Sequence, residues 1–305
     1  MIIGINIDDK EIRKSPSYYI TFLSELTNYY PILSTVELTY CSFLWAEPYN
    51  FSLCKETVSI LNKYPFSYSI HFPEALNYIQ KKNDTIKQCI EFAQNISSNK
   101  IIIHSISEPI SPLIISSSFL KDTEKLNHIN LIQMKRESDL INQLLEETSN
   151  NNINLYLENA LLKYNNNVYS YSANLILLAE QIKKLEGKNI YICLDWGHAF
   201  LSSEYLGIKF NDIIKEIFQY VSHMHVHNNY GIDKYDEVRI FHKHPNGDYH
   251  LPIYKGKIKF KDFYYLLNNY TEVLMLEYTF CNCDNLKESI TKSIEYLNEL
   301  NLIEN

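Results

Sequence analysis

The stretch Ile190-Tyr-Ile-Cys-Leu-Asp-Trp-Gly-His198 joins an apolar run to an aspartate and a histidine. The run from Ile190 to Leu194 is typical of a buried strand, and it ends at Asp195. A tight Trp-Gly step follows, so a carboxylate and an imidazole lie three residues apart just past the strand. This arrangement suits one metal site. The alternative is that Asp195 caps the next helix and that His198 lies in its first turn.

Seven other apolar runs alternate with helix-like segments in the same way. We expect strands at 2–7, 35–39, 67–71, 100–104, 153–158, 190–195, 221–227 and 272–277. Periodic apolar residues predict helices at 16–30, 51–63, 82–97, 129–149, 171–185, 208–219, 260–268 and 285–300. Strands without polar alternation indicate a parallel sheet covered by helices. Eight such units predict an α/β fold, the (β/α)₈ TIM barrel, with residues 1–305 forming a single domain.

Composition narrows the choice of fold and of binding partner. A doubly wound open sheet lacks support, because no glycine-rich phosphate loop follows any strand and the chain has only seven glycines. No apolar run approaches the roughly 20 residues of a membrane span, and the N-terminus reads as a strand rather than a signal peptide. We therefore expect a cytoplasmic protein without a membrane partner. A net charge of −8 disfavours nucleic-acid binding through the overall field of the protein.

Polar side chains occupy the ends of the third to the eighth predicted strand and the loops that follow them. Each histidine alone could be an ordinary core or surface residue, but strand ends of a barrel converge on one mouth. Histidine and carboxylate ligands from separate strands form a rigid site for Zn²⁺ or Mn²⁺. The candidate ligands are His71, His104, Glu158, Asp195, His198, His225, Asp248, His250 and Glu277.

The seventh predicted strand carries three histidines on one face. His223, His225 and His227 occupy alternate positions, and alternate residues of a strand point to the same side. We expect His223 nearer the barrel interior and His227 further out on the mouth. His225 is our choice of ligand, although alternation alone does not select it.

Several segments resemble motifs of one superfamily. Cys193-Leu-Asp-Trp-Gly-His-Ala-Phe200 is similar to a segment of endonuclease IV that supplies an aspartate and a histidine ligand, and Leu157-Glu-Asn159 is similar to the start of its glutamate motif. His225-Val-His-Asn228, Asp248-Tyr-His-Leu-Pro-Ile253 and Gly256-Lys-Ile258 resemble the patterns H-x-[NH]-D and D-x-H-x-x-I-G-x-G-x-I. These motifs belong to the xylose isomerase-like barrels, which include sugar isomerases, sugar epimerases and the endonuclease IV family.

The resemblance implies counterparts for all nine ligands of a three-metal site, the nine candidates named above. The isomerase and epimerase quartet is the subset Glu158, Asp195, His225 and Glu277, whose two glutamates also move the proton in those enzymes. The chain departs from the family pattern at several positions. After Asn159, Ala160-Leu-Leu-Lys-Tyr164 stands where the family has a glycine-rich continuation, and Asn228 stands where aspartate is usual. Tyr254-Lys-Gly256 also breaks the usual G-x-G, and residues 233–247 form a long insertion. These departures favour a small substrate over DNA.

Two enzymatic functions therefore compete. The leading hypothesis is a divalent-metal-dependent isomerase or epimerase of a sugar or sugar phosphate, with Glu158 and Glu277 as proton-transfer groups. The alternative is an endonuclease IV-like phosphodiesterase with two or three ions. A barrel that binds metal or sugar without turnover is a third reading. Between one and three ions are expected, and one ion favours the isomerase whereas three favour the phosphodiesterase.

Substrate contacts are expected in two places. Asn6 and Glu37 could line the floor of the pocket, and Tyr40 and Trp45 could form an apolar wall against a sugar ring, unless Trp45 merely packs in a loop. The loop 228–257 is longer than most loops of compact domains. We expect residues 230–246 to form a lid. Arg239, His242 or His244 would then reach an anionic group of the substrate, and the alternative is a solvated excursion or an oligomer contact.

Overall fold

Eight parallel strands form a closed barrel in a computed structural model that describes residues 1–7, 17–39, 51–75, 83–109, 117–162, 168–185, 188–231, 248–278 and 286–303. Each strand pairs with its neighbours in chain order, and the last pairs with the first. The predicted TIM barrel is thus confirmed. The strands are β1 (Ile2–Ile7), β2 (Leu33–Thr39), β3 (Ser67–Ala75), β4 (Lys100–His104), β5 (Asn154–Glu158), β6 (Ile190–Asp195), β7 (Val221–Val226) and β8 (Val273–Leu276).

The helices cover the outside of the barrel. They are α1 (Ser17–Tyr29), α2 (Phe51–Leu61), α3 (Asn83–Asn95), α4 (Ser117–Lys121), α5 (Thr123–Asn150), α6 (Leu175–Lys184), α7 (Trp196–Leu206), α8 (Phe210–Ile217), α9 (Tyr264–Leu267) and α10 (Leu286–Glu299). Short 3₁₀ turns precede α6 and α9 and follow α8. Among the described residues, no helix combines the length and apolar character that crossing a membrane requires.

The strands are buried on both faces, as their unbroken apolar runs predict. Ile101, Ile102 and Ile103 follow one another in β4, and all three are fully buried. Residues that point outward pack under the helices, whereas those that point inward fill the barrel. The register places Asn6 beside Glu37 and Glu37 beside Ser69, so these three polar residues occupy one level of β1, β2 and β3.

Helix α5 begins earlier than predicted and fixes the chain where it leaves β4. Asp122 caps the helix by accepting a hydrogen bond from the Lys125 amide at 3.2 Å. Further along α5, the buried carboxylate of Glu137 accepts hydrogen bonds from the Ile106 amide at 2.7 Å and from the Tyr171 hydroxyl. Burial raises the pKa of Glu137 to about 7. These contacts hold the segment that directly follows the last residue of β4.

Candidate metal centre

All nine candidate ligands lie among the described residues, and they converge at the carboxyl ends of the strands. Eight of them belong to three groups of side chains whose potential ligand atoms lie within 4.8 Å of one another, and further groups, such as Glu37–His71–His225, include residues outside the nine. Oε2 of Glu277 adjoins two of these groups, 3.5 Å from Nδ1 of His225 and 3.9 Å from Nδ1 of His250. The groups are His71–His104–Glu158, Glu158–Asp195–His225 and His198–His227–Asp248–His250.

The first group comes from three adjacent strands. Nε2 of His71 lies 3.2 Å from Nε2 of His104 and 3.2 Å from Oε2 of Glu158. Nδ1 of His104 lies 3.7 Å from the same carboxylate oxygen. Two ligands of a tetrahedral Zn²⁺, each about 2.0–2.1 Å from the ion, are about 3.3 Å apart. The His71–His104 and His71–Glu158 separations therefore match those of ligands that surround one cation.

Glu158 lies at the centre of the site. Its Oε1 is 3.4 Å from Nδ1 of His198, and its Oε2 is 3.4 Å from Nδ1 of His225 as well as close to His71. The side chain is 1 % exposed. Because its two oxygens face different histidines, this carboxylate can serve more than one group of ligands.

Asp195 is both a helix cap and a member of the central group. It accepts a hydrogen bond from the His198 amide at 2.6 Å and is the N-cap of α7. Nε2 of His227 lies 3.1 Å from both of its carboxylate oxygens. Asn159 holds the backbone of Asp195, accepting from its amide at 2.7 Å and donating to its carbonyl at 3.1 Å. The two sequence interpretations are therefore compatible.

Three of the four side chains of the third group are partly exposed. Asp248 Oδ2 lies 3.5 Å from Nε2 of His198 and 3.4 Å from Nε2 of His250. The ring of His227 stacks on that of His250, with 3.8 Å between the ring centres. His227, which is not among the nine candidate ligands, thus belongs to this group. His250 has a φ of 45°, in the left-handed region, and such strain in a non-glycine residue is common at functional sites.

Asn228 holds together the two ends of the loop that supplies Asp248 and His250. Its backbone pairs with Leu251 through hydrogen bonds of 2.8 and 2.9 Å. Its side-chain amide donates to the carbonyls of Ile253 and Ile258 at 3.0 Å each, while its Oδ1 accepts from two backbone amides. An aspartate has no hydrogen to donate to those carbonyls. The asparagine is therefore explained by the structure of the loop.

Several buried polar atoms of the site have no hydrogen-bond partner within the described part of the chain. Leaving such an atom unsatisfied costs about 1–3 kcal/mol, and most buried polar atoms in native proteins are paired. A shared cation would satisfy many of them, so the residues present fit a divalent metal. The atoms are Glu158 Oε2, His225 Nδ1 and Nε2, His227 Nδ1, Asp248 Oδ1, His250 Nδ1 and Glu277 Oε2.

The electrostatics separate the histidines into neutral and protonated ones. Burial lowers the pKa of His104 to about 4, so its ring is neutral at pH 7 and can offer a lone pair directly. Burial also acts to lower the pKa of His198, but Asp195 and Asp248 raise it well above its usual value. His250 behaves similarly, and the carboxylates beside it raise its pKa to about 9. Protons thus balance the carboxylates when no cation does so.

The remaining candidates are less accessible or lie outside the described residues. Asn6 and Glu37 are 3 % and 0 % exposed and contact each other, with Nδ2 of Asn6 donating to Oε1 of Glu37 at 2.8 Å. Nε2 of His223 also lies 3.0 Å from Oε2 of Glu37, a contact that the spacing along the chain does not indicate. Tyr40, Trp45, Arg239, His242 and His244 lie outside the described residues, and so does most of the proposed lid.

Solved structures share this fold over nearly their whole length. A D-tagatose 3-epimerase-like protein is 19% identical, with a TM-score of 0.62 and coverage of 98% of this chain and 97% of its own. The 3-keto-D-glucoside 4-epimerase YcjR from E. coli is 12% identical, with a TM-score of 0.64 and coverage of 98% and 99%. A protein from Thermus thermophilus, soaked with ZnCl₂, is 13% identical, with a TM-score of 0.59 and coverage of 98% of each chain.

At these identities the likeness concerns the fold alone. No curated protein sequence matches the chain. The sequence model of one family matches residues 45–300, most of the chain. The protein therefore belongs to the xylose isomerase-like TIM barrel family.

Proposed function

We propose that this protein is a divalent-metal-dependent isomerase or epimerase that acts on a sugar or sugar phosphate. The observation that carries the proposal is the placement of two glutamates around one histidine nitrogen. Oε2 of Glu158 lies 3.4 Å and Oε2 of Glu277 lies 3.5 Å from Nδ1 of His225, and neither oxygen has a hydrogen-bond partner within the described residues. The epimerases among the structures of similar fold support this choice of reaction.

Four side chains would hold the ion in this proposal, namely Glu158, Asp195, His225 and Glu277. When bound there, Zn²⁺ or Mn²⁺ would polarise the carbonyl group of the substrate. Asp195 is held in place by the His198 amide and by His227, so its carboxylate is preorganised.

The two glutamates would divide the proton transfer. Glu158 is buried, whereas the side chain of Glu277 is 13 % exposed and lies 3.9 Å from Nδ1 of His250 in the third group. We propose that one carboxylate removes the proton from the carbon beside the carbonyl and that the other returns a proton to the substrate. A positioned general base or acid of this kind accelerates proton transfer about 10²–10⁴-fold.

Proton exchange tests this reaction directly. The metal-loaded protein would be incubated in D₂O with a panel of aldoses, ketoses and their phosphates, and deuterium incorporation at carbon would be followed by NMR. We expect exchange with at least one sugar, and a loss of about 10²–10⁴-fold in Glu277→Gln. Glu272→Gln is the matched control, because Glu272 lies just before the opposite end of the same strand and is half exposed. No exchange across the panel would refute the proposal.

A second candidate, a metal-dependent phosphodiesterase, is favoured by the two further groups of ligands. His71–His104–Glu158 and His198–His227–Asp248–His250 could each hold an additional ion, giving up to three in all. Sites with two or more metal ions commonly hydrolyse phosphodiesters. The net charge of −8 disfavours a nucleic-acid substrate for such an enzyme.

Metal content and cleavage together distinguish the two candidates. One ion per chain supports the isomerase, and three ions per chain support the phosphodiesterase. An abasic-site DNA duplex left uncut in the presence of Zn²⁺ or Mn²⁺ would count against the second candidate.

A further inference from the structure

Glu37 places a carboxylate inside the barrel, next to the groups that could bind metal. The side chain is fully buried. From neighbouring strands, Nδ2 of Asn6 donates to its Oε1 at 2.8 Å and Oγ of Ser69 donates to its Oε2 at 3.0 Å. Both oxygens of Glu37 are therefore fixed by residues at the same level of β1 and β3.

The same carboxylate also contacts β7, which is separated from β2 by β1 and β8. Nε2 of His223 lies 3.0 Å from Oε2, and Nε2 of His225 lies 2.8 Å from Oε1. The His225 contact has the length of a hydrogen bond, although the N–H direction is not aligned with the oxygen. Glu37 thus connects one side of the barrel to the histidine that the other candidate ligands surround.

The two nitrogens of His225 face different surroundings. Nε2 faces Glu37, while Nδ1 faces the carboxylates of Glu158 and Glu277 at 3.4 and 3.5 Å and has no hydrogen-bond partner among the described residues. A neutral imidazole carries its proton on one nitrogen and a lone pair on the other. Because the Glu37 oxygen is nearer, at 2.8 Å against 3.4 and 3.5 Å, the tautomer with the proton on Nε2 and the lone pair on Nδ1 is favoured.

Burying the carboxylate of Glu37 at this position also costs free energy. The interior of a TIM barrel is usually filled by branched aliphatic side chains, and a fully buried carboxylate loses its hydration. A purely structural role would be to join β1, β2 and β3 through Asn6 and Ser69. That role does not require the contact with His225, whose ring could occupy the barrel without a carboxylate next to it.

We propose that Glu37 is a positioning residue that accepts a hydrogen bond from Nε2–H of His225 and thereby makes Nδ1 the metal-binding atom. Histidine ligands of metals commonly donate their second N–H to a carboxylate, and removing that carboxylate weakens metal binding about 10–100-fold. The proposal rests on the metal-binding part of the proposed function and holds for either reaction. It assigns Glu37 to the support of a ligand rather than to contact with substrate.

Two measurements test this role. In crystals of the wild-type protein soaked with ZnCl₂, we expect Nδ1 of His225 to lie about 2.0–2.1 Å from the ion, the usual Zn–N distance. In competition with a chelator, we expect Glu37→Gln to bind Zn²⁺ about 10–100-fold more weakly. Ser69→Ala is the matched control, because it removes one contact to the same carboxylate and leaves the His225 contact intact. Its affinity for Zn²⁺ should equal that of the wild type.

Zn²⁺ bound through Nε2 of His225 in the wild type would overturn the proposal, even if Glu37→Gln did not fold. An equal loss of affinity in Glu37→Gln and Ser69→Ala would also overturn it, since the role of Glu37 would then be structural only. A wild-type protein that binds no Zn²⁺ would refute both this proposal and the metal site itself. Binding through Nδ1 without any proton exchange in sugars would refute only the proposed reaction.

Discussion

Protonated His250 must lose a proton before one of its ring nitrogens can offer a lone pair to a cation. Burial acts to lower its pKa, but Asp248 and Glu277 raise the pKa of His250 to about 9 in the metal-free protein. Displacing that proton at pH 7 costs about 2.7 kcal/mol, because each of the two pH units is worth about 1.36 kcal/mol, and this is about a hundredfold in affinity. The affinity for Zn²⁺ should therefore rise about tenfold per pH unit up to about pH 9 and then level off.

The assay is competition with a chelator of known pH dependence between pH 6.5 and 9.5. In His250→Asn one titrating ring is gone, so the slope of affinity against pH should fall by about one proton, apart from the weaker binding expected of a lost ligand. Because the pKa of His198 is also raised by Asp195 and Asp248 in spite of burial, slopes above one proton agree with the reasoning. An affinity that stays constant between pH 7 and 9 would refute it.

Three further changes have defined outcomes. The raised pKa of His250 stabilises the metal-free fold below pH 6.5, and this contribution is lost as the pH rises to about 9. Calorimetry should therefore show a Tm that falls between pH 6.5 and 9, and a constant Tm would contradict the raised pKa. Gly197→Ala would place Cβ 1.9 Å from Cε1 of buried His227. Although alanine has the better helix propensity, this overpacking should lower the free energy of unfolding, measured in urea, by about 1–3 kcal/mol. Unchanged stability would contradict the close packing of Gly197 against His227. Asn228→Asp removes the donor to two backbone carbonyls and should cost about 1–3 kcal/mol by the same measurement, whereas a neutral effect would mean that the amide is dispensable.

The barrel could be predicted because its signal is repeated eight times and does not depend on any single boundary. The boundaries themselves were less accurate, since caps determine them. Helix α5 begins at Thr123 because Asp122 caps it, six residues before the periodic apolar pattern becomes clear. Helix α7 directly follows β6, and the only sequence signal for it is the potential cap at Asp195. A cap does not exclude a ligand, because an aspartate that caps through one oxygen retains another for a second contact.

The site could be predicted in outline because strand ends of a barrel meet at one mouth. Alternation along β7 indicates which way His223, His225 and His227 point but not how deep each lies. Depth depends on the stagger between strands, which the sequence of one strand does not reveal. For the same reason the complete burial of Glu37 could not be foreseen, since it results from histidines across the barrel. The roles of Arg239, Tyr40 and Trp45 stay predictions.

The contacts of Asn228 position Asp248 and His250 relative to the end of β7. Residues 228–231 and 248–258 are held together by the Asn228–Leu251 pairing and by the side-chain amide, which does not involve residues 232–247. When the ends of a segment are already joined, each doubling of its length costs only about 0.6 kcal/mol of loop-closure free energy. We therefore expect Asp248 and His250 to keep their positions when the number of residues between 231 and 248 changes. In an evolving lineage, an insertion or deletion between residues 231 and 248 would then leave two candidate metal ligands in place.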